Sequence, residues 1–409
     1  MKKYLLLLLL ISLYVANGYN SISDYILHHH RSIRLPDADL SFMGIVAENG
    51  YPIEEHFATT HDGYILRLFR IPYGINGNGS STTTRRPVLL QHGLLDSSIT
   101  WIINLPSQSL AYILADQGYD VWMGNNRGNV YSTNHTTLSV KSKEFWQFSY
   151  DEMGIYDLPT MIDYIIKETG FTQVPYVGHS EGTMQAWIAY LKDQDFSSKV
   201  PLFMALGPVG NVTHITNNAL RALAELKIDD LFKIFGFNRF LPSPELLRFL
   251  FIDFCTECDI CCADVVEWIC GPHKGAFNNT RMPLVSGHEP GGTSIKNIQH
   301  FAQGVSKKQF QMFDYGLVGN ILKYDSDHPP IYDLSKFPTN VKVALFSGTL
   351  DELADPVDVQ QLFSTLPKES IINWSIIHNY AHLDYVWALD ANQLIYPQII
   401  EYLHNFSNN

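Results

Sequence analysis

Hydrophobic and polar positions along this chain follow two rhythms. Up to about Leu206, short apolar runs alternate with longer amphipathic stretches, and the same alternation resumes near Val341. Arg86 to Gln91, Val174 to Val177, Leu202 to Leu206, Val341 to Gly348 and Asn373 to Ile377 predict buried strands. Thr183 to Leu191 and Val357 to Phe363 predict helices. Strands alternating with helices predict an α/β fold with a mostly parallel central sheet. Between Val209 and Phe337 the pattern changes to helical segments such as Asn218 to Leu226 and a very apolar stretch, Leu246 to Phe254. This block predicts a mainly helical cap over residues 211–335, inserted between two parts of one core, 19–210 and 336–409. The bland alternative is that these are ordinary core helices. The polar run Asn76 to Thr84 predicts an exposed hairpin connection between early strands.

Candidate chemistry sits where one of those strands meets a helix. Gly178-His179-Ser180-Glu181-Gly182 is a G-x-S-x-G pentapeptide preceded by a buried strand and followed by a helix. In that context the glycines leave room for a tight turn, and Ser180 is raised above the sheet edge as a nucleophile. The plain alternative is a Gly-rich turn with Ser180 as an N-cap. A nucleophilic serine needs a base, a carboxylate to orient the base, and donors for an oxyanion. Asp351 follows the strand ending at Gly348, and His382 lies in the loop after the last strand, giving the order serine, acid, histidine. Asp355 and Asp358 are rivals that read better as a helix N-cap and a first-turn acid beside Pro356. His378 abuts the strand itself. The oxyanion donors should be backbone N–H groups: that of Glu181, and that of Leu94 in the His92-Gly93-Leu94-Leu95 turn after an earlier strand.

Further segments carry a resemblance. Glu54-Glu55-His56 through Thr60-His61-Asp62-Gly63-Tyr64, Leu90 to Ser98, Gly118 to Asn129, Glu144 to Met153, Tyr156-Asp157-Leu158-Pro159, the serine elbow, Asp351 to Pro356, and His382-Leu383-Asp384 together resemble the acid lipases. That is the family of gastric lipases and lysosomal acid lipase. The resemblance implies an α/β-hydrolase fold with a cap and a lid near residues 240–273. It implies a monomeric serine ester hydrolase acting on neutral lipids, such as triacylglycerols or cholesteryl esters, at a lipid–water interface, with no cofactor and no metal. Ser180, Asp351 and His382 would form the triad, with Leu94 and Glu181 as backbone donors. Other readings are an esterase for soluble short-chain esters, or an inactive lipid-binding relative; the complete triad set argues against the latter.

One departure stands out. Relatives commonly carry glutamine where this chain has Glu181. Either the carboxyl is neutral in an acidic compartment and stands in for the amide, with catalysis weakening as it ionises, or it is a solvent-screened first-turn acid.

Composition agrees with an exported enzyme. The chain has 409 residues, 46% hydrophobic and 17% charged, enough for a large core. Lys2 and Lys3, the apolar run Leu5 to Ile11, and Ala16-Asn17-Gly18 read as a leader over residues 1–18, cut after Gly18 and too short to span a membrane. No transmembrane span is expected, and the destination is the exterior or a lysosome-like lumen. Its removal takes the formal net charge from −13 to −15, because it holds two lysines and no acids, and this argues against nucleic acid as a partner. Glycosylation acceptors are Asn78, Asn134, Asn211, Asn278 and Asn405, with Asn373 disfavoured by its predicted strand. His28-His29-His30 reads as a solvated segment, since consecutive histidines do not converge on one ion. Cys255, Cys258, Cys261, Cys262 and Cys270 crowd the proposed lid, where an exported chain favours disulfide over metal chemistry. The resemblance implies that Cys262 pairs with Cys255 or Cys258, and that Cys270 is unpaired.

Overall fold

A computed structural model describes residues 40–77, 84–216, 239–240, 252, 255, 262, 271 and 273–407. The leader, His28 to His30, Asn78, Cys258, Cys261, Cys270, the helical stretch 218–226 and most of the proposed lid lie outside the described residues.

The strands are β1 (Glu54–Thr59), β2 (Tyr64–Ile71), β3 (Pro87–Gln91), β4 (Asp120–Met123), β5 (Asn134–His135), β6 (Tyr176–His179), β7 (Leu202–Leu206), β8 (Arg239–Phe240), β9 (Thr293–Ser294), β10 (Lys342–Gly348) and β11 (Ile371–Ile377). The large sheet runs β1-β2-β4-β3-β6-β7-β10-β11, with β5 beside β2. Pairing is antiparallel from β1 to β4 and parallel from β4 through β11. The hairpin expected across residues 76–84 does not form, because β4 lies between β2 and β3. Local turn chemistry carries no information about which strand fills the gap beside β2.

Every residue of β3, β4, β6 and β7 is buried, as expected for parallel strands covered on both faces. Alternate side chains feed two cores. Val88, Leu90, Val121, Met123, Met204 and Phe346 face the helices Leu110–Asp116 and Tyr396–Ser407. Leu89, Trp122, Tyr176, Phe203, Ala205 and Leu345 face Leu158–Thr169 and Glu181–Lys192. Between β7 and β10 the described residues add no strand to the large sheet. They contribute the separate β8–β9 pair and the helices Met282–His288, Ile295–Lys307 and Gly316–Tyr324. No described helix is long and apolar enough to cross a membrane.

Strand order reverses around β3: the chain moves from β3 out to β4, then back past β3 to β6 and onward to β11. Ligand sites of open α/β sheets collect at the carboxyl ends of the strands beside such a reversal. The loops leaving β3, β6, β10 and β11 therefore converge.

A buried ion cluster fastens the adjoining loops. Arg127, 1% exposed, donates to Asp157 Oδ1 from Nε at 2.8 Å and to both Asp62 oxygens at 2.6 and 2.9 Å, while its guanidinium stacks over Tyr64 at 4.0 Å. It joins the β1–β2 turn, the loop after β4 and the start of the helix at Leu158. Removing one partner of a buried pair strands the other charge, at a cost of about 3–5 kcal/mol. Arg127→Met is expected to lose about that much stability in denaturant unfolding. A loss within the range of surface substitutions would show that the cluster is not a fastener.

Candidate active site

β6 ends at His179, and Ser180 turns the chain directly into the helix Glu181–Lys192. Its backbone sits at φ +54° and ψ −118°, a left-handed region that L side chains avoid. The strain is held by surroundings that admit only glycine. A Cβ on Gly182 would stand 2.8 Å from the carbonyl oxygen of Gln91, and one on Gly178 would stand 3.0 Å from the Gly182 backbone. Ser180 N–H donates to Leu206 O at 3.0 Å, pinning the turn to the end of β7.

Three loops bring their side chains together here. His382 Nε2 is 2.7 Å from Ser180 Oγ, and His382 Nδ1 is 2.9 and 3.0 Å from the two oxygens of Asp351. All three residues are buried. With Nδ1–H directed at the carboxylate, Nε2 presents its lone pair to the serine hydroxyl. Asp351 also accepts from Leu353 N–H at 3.0 Å, Ala354 N–H at 2.8 Å and Tyr385 O–H at 3.0 Å. Burial works against its ionisation, but the charge and hydrogen bond of His382 and the two backbone donors outweigh that and hold its pKa below the ordinary carboxylate value. His179 donates from Nε2 to the His382 carbonyl at 2.8 Å. Burial pushes His179 down to about 3, with His382 reinforcing the shift, so it acts there as a neutral donor.

Leu94 lies in the loop after β3, against the same serine. A Cβ on Gly93 would stand 2.9 Å from Ser180 Cβ and 3.4 Å from Ser180 Oγ. Glu181 is the first residue of its helix, where backbone N–H groups lack intrahelical acceptors. The solvent-screened reading of its side chain is corrected by the structure, since Glu181 is 1% exposed. Asn297 Nδ2, from the helix Ile295–Lys307, donates to Glu181 Oε1 at 2.6 Å, and Asn297 Oδ1 accepts from Tyr150 N–H at 2.8 Å.

The rival residues take other parts. Asp355 caps the helix Pro356–Thr365 by accepting from Val357 N–H at 2.8 Å. Asp358 accepts from the backbone N–H of His214 at 2.8 Å and lies 2.7 Å from its Nδ1, and His378 is exposed. A second such pair lies beside the histidine loop. His273 Nδ1 is 2.6 Å from Asp384 Oδ2, an oxygen that also accepts from Ala381 N–H at 2.5 Å. Cys255 and Cys262 are disulfide-bonded, their Cα atoms 5.2 Å apart. Among the acceptor asparagines, Asn134 and Asn405 are exposed and Asn211 and Asn278 half-buried, while Asn373 lies in β11 with its amide donating to Ser375 Oγ. Among the described residues no three His, Cys, Asp or Glu side chains converge as metal ligands. Tyr385, His179 and Asn297 were not legible as site residues. Tyr385 stands three positions after His382, a spacing that returns it to Asp351 once the short helix Asp384–Trp387 forms.

Burial pushes the Glu181 carboxyl up to about 7, with Asp157 adding to the rise and Asn297 opposing it. A carboxyl raised by folding contributes its full stability below the ordinary carboxylate range, and that contribution is lost as pH rises towards and through about 7. Glu181→Gln is therefore expected to melt with the parent in acid and several degrees above it at alkaline pH. A difference in melting temperature that stays constant with pH would refute this.

Two family models match the chain: "Partial alpha/beta-hydrolase lipase region" over residues 42–105 and "alpha/beta hydrolase fold" over residues 86–230. Among solved structures, a carboxylesterase from Bacillus subtilis aligns with a TM-score of 0.50 at 12% identity, covering 93% of this chain and 98% of that one. An epoxide hydrolase from Vigna radiata does so at 0.50 and 15%, covering 86% and 98%. At such identities the likeness establishes the fold alone. Sequence relatives are much nearer. Gastric triacylglycerol lipase of Bos taurus is 42% identical over 369 residues, covering 89% of this chain and 91% of its own. Lysosomal acid lipase/cholesteryl ester hydrolase of Homo sapiens is 40% identical over 379 residues, covering 91% and 92%. With that identity sustained along nearly the whole length of both relatives, the chain belongs to the acid lipase family.

Proposed function

We propose that this protein is a lipase that hydrolyses carboxylic esters of neutral lipids, triacylglycerols or cholesteryl esters, with Ser180, His382 and Asp351 as its catalytic triad. The observation that carries the reading is the unbroken series from Ser180 Oγ through the His382 ring to the Asp351 carboxylate. His382 takes the serine proton as Oγ attacks the ester carbonyl, and the imidazolium that forms is stabilised by Asp351. The N–H groups of Leu94 and Glu181 hold the tetrahedral oxyanion. His382 then protonates the departing alcohol, and water, deprotonated by the same ring, releases the fatty acid from the acyl-enzyme. Asp351 needs no proton of its own. Its donors keep it ionised through the cycle, while Tyr385 and the two N–H groups fix the plane in which it meets the histidine.

Residues 211–335 are read as a cap over this site, which shields it from water and receives acyl chains at a lipid–water interface. The leader over residues 1–18 directs the chain out of the cytosol, to the exterior or to a lysosome-like lumen, where it acts as a monomer. Among the described acceptor positions, Asn134 and Asn405 are the most open to a glycan.

Ser180→Ala is expected to abolish ester hydrolysis and labelling by a fluorophosphonate while leaving the melting temperature unchanged. Retained turnover in the purified variant would end the assignment. A jump in activity of the parent as a triacylglycerol passes from solution to emulsion supports the interfacial lipase, and its absence supports an esterase for soluble substrates. If the Cys255–Cys262 bridge limits opening of the lid, its reduction should change activity on the emulsion more than on a short soluble ester. Equal changes would remove it from that role.

A further inference from the structure

Two acidic side chains meet under the loop that carries Leu94, and the mechanism above does not use them. Asp96 is 7% exposed and lies two residues beyond Leu94. Its Oδ1 accepts from Ser97 N–H at 2.6 Å, and its Oδ2 is buried with no donor of its own. Facing it is Glu289, which comes from the far side of the long segment between β7 and β10. Glu289 Oε1 accepts from Ser97 Oγ at 3.0 Å, and Oε2 accepts from Gly291 N–H at 2.7 Å. Ser97 thus holds both carboxyls, Asp96 through its N–H and Glu289 through its hydroxyl. Two like charges held together out of water oppose each other's ionisation, and a single proton between them relieves the conflict.

The backbones around the pair are in contact as well. Gly291 N–H donates to Leu95 O at 2.6 Å, and Val130 N–H donates to Gly291 O at 2.9 Å. A Cβ on Gly291 would stand 2.6 Å from Asp96 O, so only glycine allows this approach. Leu95 is held at φ +62°, a conformation that a leucine leaves when its neighbours release it. The peptide that carries Leu94 N–H is thus oriented by a strained residue, and that residue is held by the segment 289–291.

We propose that Asp96 and Glu289 are positioning residues for the Leu94 oxyanion donor, sharing one proton that holds the 93–97 loop against 289–291 in acid and lets them part once the proton is lost. The inference rests on Leu94 serving the oxyanion, as read above. With the proton in place, the pair is a strong charge-assisted hydrogen bond. Without it, two negative charges face each other in a poorly solvated contact, and Leu95 loses what keeps it in its left-handed conformation. Leu94 N–H then leaves the line of the reacting carbonyl, and turnover falls while substrate binding is spared.

Among the described residues the ionisable surroundings are sparse. Each carboxyl faces the other, with the hydroxyls of Ser97 and Thr100 and the N–H groups of Gly93, Ser97 and Gly291 nearby. On the neighbouring elements, His92 at the head of the loop is held neutral by burial, which pushes it down to about 4. Arg127, in the loop after β4, is committed to Asp62 and Asp157, and His288 precedes Glu289 in the chain. Glu181, beyond the serine, is the other titrating carboxyl near the oxyanion and is bonded to Asn297. Burial pushes Asp96 up to about 6, and burial together with the charge of Asp96 raises Glu289 well above the usual range. The pair therefore keeps a proton through the pH range in which ordinary carboxyls have lost theirs.

The test is the pH profile of kcat and KM on a soluble short-chain ester, which takes the lipid interface out of the measurement. Asp96→Asn supplies a permanent N–H to Glu289, and Glu289→Gln supplies one to Asp96. Each is expected to move the alkaline limb of kcat upward, giving roughly tenfold faster turnover than the parent one pH unit past the parent's midpoint, with KM unchanged. Asp96→Ala, with no hydrogen bond to offer, is expected to lower kcat at every pH, towards the roughly hundredfold loss of an absent oxyanion donor. The double variant, Asp96→Asn with Glu289→Gln, should behave like either single change, whereas a limb due to Glu181 would survive in both. Alkaline limbs superimposable on the parent's, or parental kcat in Asp96→Ala, overturn the proposal. If Asp96→Asn does not fold, Glu289→Gln decides. A parent that is not labelled by fluorophosphonate would instead refute the triad, so the two failures are distinguishable.

Discussion

The parallel pairing of β3 with β6 is the constraint from which the rest of the site follows. Leu90 pairs with Val177 and Gln91 with Gly178, so both strands reach their carboxyl ends at the same height. The chain leaving β3 and the chain leaving β6 then have to pass within van der Waals contact. They manage it because Gly93, Gly178 and Gly182 have no side chains and because Ser180 accepts a left-handed backbone. A residue with a Cβ at Gly182 would collide with the carbonyl of Gln91 and push β3 from β6. The hydroxyl, the Leu94 loop and the first turn of the following helix would separate together. The strain at Ser180 is offset by the many hydrogen bonds and buried side chains of the strands beneath it.

How a carboxyl behaves around this centre depends on how many donors reach it. Asp351 is as buried as Glu181, yet it is held ionised, because it receives two backbone N–H groups, a tyrosine hydroxyl and the histidine. Glu181 receives one amide, and burial prevails. Asp96 and Glu289 sit between these extremes, with donors for three oxygens and none for the fourth. Burial acts on histidines in the opposite sense: His92 and His179, buried without a carboxylate hydrogen-bond partner, stay neutral. Desolvation is the common background, and local hydrogen bonding sorts the groups into charged and uncharged.

Much of this is legible in the order of residues, and the part that is not has a physical cause. Ser180, Asp351 and His382 can be found because each follows an apolar run and because strand ends are where an α/β sheet gathers its chemistry. The neighbours of those runs cannot be found in the same way. Nothing near residues 76–84 announces that β4 will lie between β2 and β3. At Glu181 the sequence leaves open a neutral carboxyl and a screened first-turn acid, and what decides between them is burial against Asn297, more than a hundred residues later. The meeting of Asp96 with Glu289 is a product of tertiary folding, since each looks like an ordinary surface acid in its own stretch of chain. Periodicity reports which face of an element is covered, and stays silent about what covers it.

The two histidine–aspartate pairs at His214 and His273 have a consequence for how this family can vary. His214 is bound to Asp358, in the helix that follows the Asp351 loop, and His273 to Asp384, just past His382. Gly271, beside His273, packs against Leu350 and Ala381 so closely that a Cβ there would stand 2.8 Å from the Leu350 carbonyl. Chain inserted between fixed points costs closure entropy only as the logarithm of its length, about 0.6 kcal/mol for each doubling of a flexible stretch. Residues gained or lost between the two anchors therefore leave the acid and histidine loops where they are. A change at either anchor would instead pull on the loops that hold the acid and the histidine.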